Sequence, residues 1–277
     1  MEIIFEVKNS TGIITLNRPK ALNALNLNMA IQFSDKLKEW EDDDTIERVL
    51  LLGEGNHFCA GGDVKSVHLS GPFSELKREF FSKEYALNLQ IKNFPKPYLS
   101  IWQGVVMGGG VGLSIYGDYR IATDSTKFAM PETSIGFFPD VGGSFFLSKL
   151  ANNLGKYLGL TGEIVQGKDL LNFNLATHYC PENKINNLIS QFITDGSITN
   201  YEIENSSFFT DEKIEFIDKN FSGDIHEIFS NIQNISNQDS LLQKLQKKCP
   251  MSLAVTTLLI KDSNNRSLKN CLEIEYR

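Results

Sequence analysis

Of the chain's 21 glycines, only Gly196 and Gly223 lie beyond residue 185, and this lopsided distribution constrains the fold more than any other feature. Glycine accepts positive φ and lets backbone approach backbone or ligand closely. Residues 1–185 must therefore turn tightly and often. Beyond them Asn, Ser, Ile and Lys become common, and segments such as Lys184–Asp195 and Ser240–Lys248 read as helices joined by polar turns. The expected organisation is an α/β core over residues 1–185, followed by an all-helical region over residues 186–277.

Within the first part, strand-like and helical runs alternate. Ile3–Lys8 and Gly12–Leu16 flank Asn9-Ser10-Thr11 and predict a hairpin. Leu25–Asp42 predicts an amphipathic helix with Leu25, Met29, Phe33, Leu37 and Trp40 on one stripe. A strand at Arg48–Leu52, a helix around Phe73–Lys92 and strands at Tyr98–Trp102 and Tyr119–Thr123 follow. Such alternation implies layered α/β architecture.

Composition removes several function classes. A net charge of -7 with no basic face argues against a nucleic-acid partner. Cys59, Cys180, Cys249 and Cys271 form no CxxC pair, and His57, His68, His178 and His226 never fall at ligand spacing, so no metal is expected. No run approaches 18 apolar residues, which excludes a membrane-spanning helix. Met1–Glu6 lacks a basic region followed by an apolar core, and the expected location is the cytoplasm.

Two Gly-rich turns each follow a predicted strand. The first is Phe58-Cys59-Ala60-Gly61-Gly62-Asp63, and the second is Gly104-Val105-Val106-Met107-Gly108-Gly109-Gly110-Val111-Gly112. Facing each other, they could aim two amides at one oxygen as an oxyanion hole, each donor worth roughly 2.7–4 kcal/mol in a transition state. They could equally be tight turns packed on neighbouring helices. Neither fits GxxxxGK[ST] or a dinucleotide fingerprint, so nucleotide hydrolysis and NAD chemistry are poor fits.

The run Phe128–Gly143 places two carboxylates, Glu132 and Asp140, among apolar, Gly and Pro residues. Desolvation there would raise a carboxylate pKa toward a usable general base. The plainer alternative makes Glu132 a first-turn helix residue and Asp140 a cap or turn residue.

Taken in order, Asn17-Arg18-Pro19, Ala21–Leu25, Phe58–Asp63, the glycine triplet Gly108–Gly110 and Met130-Pro131-Glu132 resemble the crotonase (enoyl-CoA hydratase/isomerase) superfamily. Val106–Ser114, the Met130–Gly143 run and Ala176–Tyr179 resemble its 3-hydroxyisobutyryl-CoA hydrolase branch in particular. The likeness is dense from about residue 3 to residue 182, and is recognisable again at Met251–Leu253 and Glu273–Arg277.

The resemblance implies a crotonase-like ββα spiral core and hydrolysis of an acyl-CoA thioester, with coenzyme A as part of the substrate and no separate cofactor. By similarity, the Gly62 and Gly109 amides form the oxyanion hole. The 60–65 turn, with Ala60, Asp63 and Val64, would hold coenzyme A. Glu132 would activate water or attack the carbonyl itself. Asp140 would orient a 3-hydroxyl group or assist proton transfer, and Glu84 would contact substrate. Hydratases of the superfamily carry a second catalytic glutamate where this chain has Gly112, which favours hydrolysis over hydration. A hydratase or isomerase, or an acyl-CoA-binding subunit without catalysis, are the alternatives. Homo-oligomers of trimer type are common in the superfamily. Hydrolases of the branch usually run several tens of residues past Arg277. On that reading, loss of helices there would weaken CoA binding and assembly before it touched Glu132.

Overall fold

The computed structural model describes residues 1–71, 73–204, 207–235 and 239–277. In chain order it begins with β1 (Ile3–Lys8), β2 (Thr11–Leu16), α1 (Leu27–Asp42), β3 (Arg48–Gly53), α2 (Val64–Leu69) and α3 (Glu75–Asn93). Next come β4 (Tyr98–Trp102), β5 (Val105–Met107), α4 (Gly109–Gly112), β6 (Tyr119–Ala122) and β7 (Lys127–Ala129). The remainder is α5 (Gly143–Leu147), α6 (Leu154–Thr161), α7 (Lys168–Asn172), β8 (His178–Tyr179), α8 (Ile185–Asp195) and α9 (Asp211–Asn220). The chain then closes with α10 (Ile225–Gln233), α11 (Asp239–Gln246), α12 (Pro250–Asp262) and α13 (Leu268–Tyr276).

The described residues form two compact units, one of residues 1–128 with 165–206 and one of 129–164 with 207–277. The compositional change near residue 185 thus falls inside the first unit, at the start of α8.

The first unit is built on a six-stranded sheet of order β1-β2-β3-β4-β6-β8. The β1–β2 hairpin is antiparallel, with Asn9 and Ser10 at positive φ in its turn. All later neighbours pair in parallel, which requires crossover connections. Every residue of β4 is buried, as expected for an interior parallel strand covered on both faces. One face is covered by α8, whose Ile185, Leu188 and Phe192 join Ile13, Leu50, Leu99, Ile101, Ile121 and Cys180 in a single cluster. α8 belongs to the sheet's core although its composition resembles the helices that follow.

α1 buries Met29, Phe33, Leu37 and Trp40, each worth about 1.5–3 kcal/mol as an upper estimate. The helix starts later than its hydrophobic stripe suggests. Asn26 caps it, accepting from the Met29 amide at 2.9 Å. Leu25 lies outside, bridged in parallel to Gly62. The sequence also gave no warning of α2, a separate short helix ahead of α3.

The second unit is helical. α6 packs against α5, α9, α11 and α12, while α13 packs on α5. Two glycines in α6 permit this crowding. A Cβ at Gly155 would run into the Leu147 carbonyl, and one at Gly159 would lie 3.1 Å from Ile260 Cδ1 and 3.2 Å from Thr256 Cγ2.

Candidate active site

The two Gly-rich turns of the first unit lie side by side. The Cys59 amide donates to the Val105 carbonyl at 3.0 Å, and the Met107 amide donates to the Cys59 carbonyl at 3.0 Å. On the other flank the Leu25 amide donates to the Gly61 carbonyl at 2.8 Å, and Leu25 accepts from the Asp63 amide at 2.7 Å. That bridge uses the groups on either side of Gly62, so the Gly62 N–H faces the opposite way. Gly109 opens α4, where an N–H has no carbonyl one turn back to bond. A Cβ on Gly109 would sit 2.9 Å from the Gly62 nitrogen. The two amides are therefore neighbours only because residue 109 lacks a side chain. Gly61 (φ +125°) and Gly108 (φ +49°) supply the backbone turns that bring them there.

Glu84, on α3, is buried against the same pair. Its Oε1 would collide with a Cβ on Gly109 and would lie 3.8 Å from one on Gly62. The structure thus brings together Gly62, Gly109 and Glu84. Cys59 beneath them is a buried thiol, pushed up to about 12 by burial and further opposed by the Glu84 charge, so it is no nucleophile.

Asp63, Ala60 and Val64 sit at the entrance to α2. Asp63 caps that helix by accepting from the Ser66 amide at 3.0 Å, and pairs with Arg18 at 2.9 Å. Burial pushes its carboxyl up, yet the hydrogen bonds from Ser66 and Arg18 outweigh that and hold it below the ordinary range. Val64 is largely exposed, and the Ala60 amide donates to the Leu22 carbonyl at 3.0 Å. A cavity of about 190 Å³ opens beside them, lined by Leu27, Asp63, Val67, Leu76 and Phe80 among others.

What holds this region in place is a residue to which the sequence pattern assigned no role. Asn23, buried at φ +56°, donates to the carbonyls of Glu54 and His57 at 2.9 and 2.7 Å and accepts from the Arg18 amide at 2.9 Å. Three backbone groups, from the 18–23 loop and the 54–57 loop, meet on one amide side chain. Its left-handed conformation is one that Asn tolerates better than most residues.

In the second unit, Glu132 opens a 3-10 turn (Glu132–Ile135) directly after Pro131, and Gly136 at φ +79° ends it. The turn is fixed on α6, with the Thr133 hydroxyl donating to the Leu160 carbonyl at 3.1 Å. Glu132 is only 7% exposed, Asp140 6% and Glu275, on α13, 5%. Among the described residues Glu132 Oε2 has no hydrogen-bond partner. Burial, then the charges of Asp140 and Glu275, push the Glu132 carboxyl well above its ordinary value. Glu275 is itself pushed up to about 8, mainly by burial. An unpartnered buried carboxylate is costly, and such sites are where acid–base chemistry concentrates.

Among the described residues no His, Cys, Asp and Glu cluster suits a metal ion, and no helix is long and apolar enough to cross a membrane. The four cysteines are free thiols.

The family model described as enoyl-CoA hydratase/isomerase matches residues 11–277. The chain belongs to that family. Two solved members superpose along nearly its whole length. A carnitinyl-CoA dehydratase from Mycobacterium thermoresistibile gives a TM-score of 0.91 at 35% identity, covering 99% of this chain and 84% of that one. An enoyl-CoA hydratase from Rhodobacter sphaeroides 2.4.1 gives 0.94 at 31% identity, covering 100% and 83%. The crotonase fold expected from the motifs is the fold observed, with its mainly parallel sheet and C-terminal helices. Curated relatives named "3-hydroxyisobutyryl-CoA hydrolase, mitochondrial" come from Danio rerio, 39% identical over 100% of this chain and 77% of the relative, and Xenopus laevis, 40% identical over 96% and 74%. The human protein of the same name is 38% identical over 100% of this chain and 76% of its own length. The resemblance to the hydrolase branch is therefore borne out along the whole sequence. Gly112 is the buried last residue of α4 and brings no carboxylate.

Proposed function

We propose that the protein hydrolyses the thioester of 3-hydroxyisobutyryl-CoA, or of a close 3-hydroxyacyl-CoA, to the free acid and coenzyme A. The observation that carries this reading is the Glu132 carboxylate, buried, unpartnered at Oε2 and raised in pKa, in a chain whose curated relatives are named hydrolases of that ester.

In this reading the Gly62 and Gly109 amides donate to the thioester oxygen and stabilise negative charge as the carbonyl carbon becomes tetrahedral. Glu132 in its ionised form takes a proton from water that attacks the carbonyl, or attacks the carbonyl carbon itself and expels the thiolate. The second route leaves a mixed anhydride that water hydrolyses at the acyl carbon to free the acid and restore the carboxylate. Either way the C–S bond breaks, the sulfur leaves as thiolate and receives a proton, and the acyl group departs with the water oxygen. Asp140 would orient the 3-hydroxyl group or relay a proton. Glu84 would contact the substrate beside the glycine pair, and the 60–65 turn with Ala60, Asp63 and Val64 would hold coenzyme A. No separate cofactor is needed, because water is the only co-reactant.

The solved neighbours titled hydratase and dehydratase favour a second reading, addition of water to an enoyl-CoA. Gly112 speaks against it, since that chemistry in the superfamily uses a second glutamate there. A thiol-release assay on a small acyl-CoA panel decides between them. Free thiol from 3-hydroxyisobutyryl-CoA is the expected result. Loss of crotonyl-CoA absorbance with no thiol released would overturn hydrolysis.

The four free thiols support a reducing compartment. The cytoplasm expected from the sequence and the mitochondrial location in several relatives' names both qualify. A homo-oligomer of trimer type remains the expected assembly, read by light scattering.

A further inference from the structure

The turn that carries Asp140 is held in an unfavourable shape. Val141, β-branched, has φ +51°, and Gly142 follows at φ +78°. Positive φ at a β-branched residue is strongly disfavoured and persists only where the surroundings over-determine it. The over-determining group comes from the far end of the sequence. Glu275 Oε2 accepts from the Gly142 amide at 2.7 Å, and its Oε1 accepts from the Ser144 amide at 3.1 Å and from the Ser144 hydroxyl. These contacts are buried, and α13 brings them by packing on α5.

Glu275 does more here than cap a short helix. Its carboxyl is bound to the turn two residues after Asp140, and it interacts electrostatically with both Asp140 and Glu132. Nothing in the mechanism above uses it. A buried acid that only joined two helices could be replaced by an apolar side chain at little cost. This one instead saturates both oxygens on the backbone of the strained turn.

We propose that Glu275 is a positioning residue for the reaction: by gripping the Gly142 and Ser144 amides it fixes the Asp140–Ser144 turn and so sets the placement of Asp140 relative to Glu132. This rests on the catalytic reading of those two carboxylates. Glu275 does not touch substrate in this role, so its effect falls on turnover and not on binding.

The test uses the full chain and two variants. Glu275→Gln keeps the size of the side chain but offers an NH2 group where one acceptor stood. Ser144→Ala removes only the hydroxyl contact and leaves both amide donors. In Glu275→Gln, kcat per folded molecule should fall about tenfold with KM changed less than about twofold, and in Ser144→Ala kcat should fall by no more than about threefold. Wild-type kcat in folded Glu275→Gln would overturn the proposal. So would a fall in kcat matched by an equal rise in KM, or a larger loss in Ser144→Ala than in Glu275→Gln. Amide hydrogen exchange gives a readout independent of activity. The Gly142 and Ser144 amides should exchange at least about tenfold faster in Glu275→Gln than in the wild type, and unchanged exchange would overturn the proposed grip. If the wild type releases no thiol from any ester while this exchange still accelerates, the functional reading fails and the grip on the turn stands.

Discussion

Asp63 in the first unit and the Glu132–Glu275 pair in the second are acids in opposite environments. In the first, Asp63 is satisfied by the Ser66 amide and the Arg18 guanidinium and is held below the ordinary carboxylate range despite partial burial. In the second, Glu132 and Glu275 are driven upward by burial and by neighbouring negative charge. Asp63 behaves as a structural acid and stays ionised over the physiological range. Burial and neighbouring negative charge favour the protonated form of Glu132 and Glu275. The first unit contributes backbone: two N–H groups from glycine turns, locked by Asn23 and pressed by Glu84. The second contributes titratable side chains. Glycine turns after parallel strands present amides, and an apolar helical environment desolvates acids.

The sharpest way to break this comparison is Glu132→Gln. On the proposed reading it removes the base and leaves every donor of the first unit in place, so kcat should fall by about a thousandfold or more while KM changes little. Equal losses in both parameters would make Glu132 structural. In the wild type the acidic limb of kcat against pH should lie above the ordinary glutamate range, because activity needs the ionised form. It is lost as pH falls through the raised Glu132 pKa. A limb near 4.5, the ordinary value, would contradict that environment.

Gly109→Ala probes the first unit. Its methyl would meet Glu84 Oε1 and lie 2.9 Å from the Gly62 nitrogen, so the two amides must part. Loss of one aligned donor predicts a kcat about a hundredfold lower or worse, with the acidic limb of the pH profile unmoved. A shifted limb would show that the glycine pair and the acids are not separable contributions.

Asn23→Ala should act on stability first. It leaves two carbonyls and one amide short of a buried partner and asks alanine to take φ +56°. A loss of about 2–4 kcal/mol is expected, seen as a lower urea midpoint at unchanged m-value. A midpoint within error of wild type would mean that the 54–61 turn does not depend on this clamp.

Much of this was legible before any coordinates. The β1–β2 hairpin, the α1 stripe, the strands at 48, 98 and 119 and the helices at 185 and 239 all follow from period and turn chemistry. Their boundaries moved by only a few residues. Leu25 is instructive: its apolar spacing places it on the α1 stripe, yet its backbone is claimed by Gly61 and Asp63. Periodicity reports which face is buried and says nothing of which partner buries it. α8 shows the same limit, since its composition matches the later helices while its apolar face lies on the sheet.

By itself the sequence determined the local conformations, the positions of both glycine turns, the family, and Glu132 and Asp140 as acids in apolar surroundings. These depend on neighbours within a few residues or on motifs that keep their order along the chain. Only the tertiary structure decided that Asn23 ties its own loop to the 54–57 loop, that Glu84 presses on the glycine pair, and that Glu275 reaches the turn at Gly142 across 133 positions of sequence. Side-chain contacts of that separation have no periodic signature, because they are set by how helices pack once their apolar faces are buried.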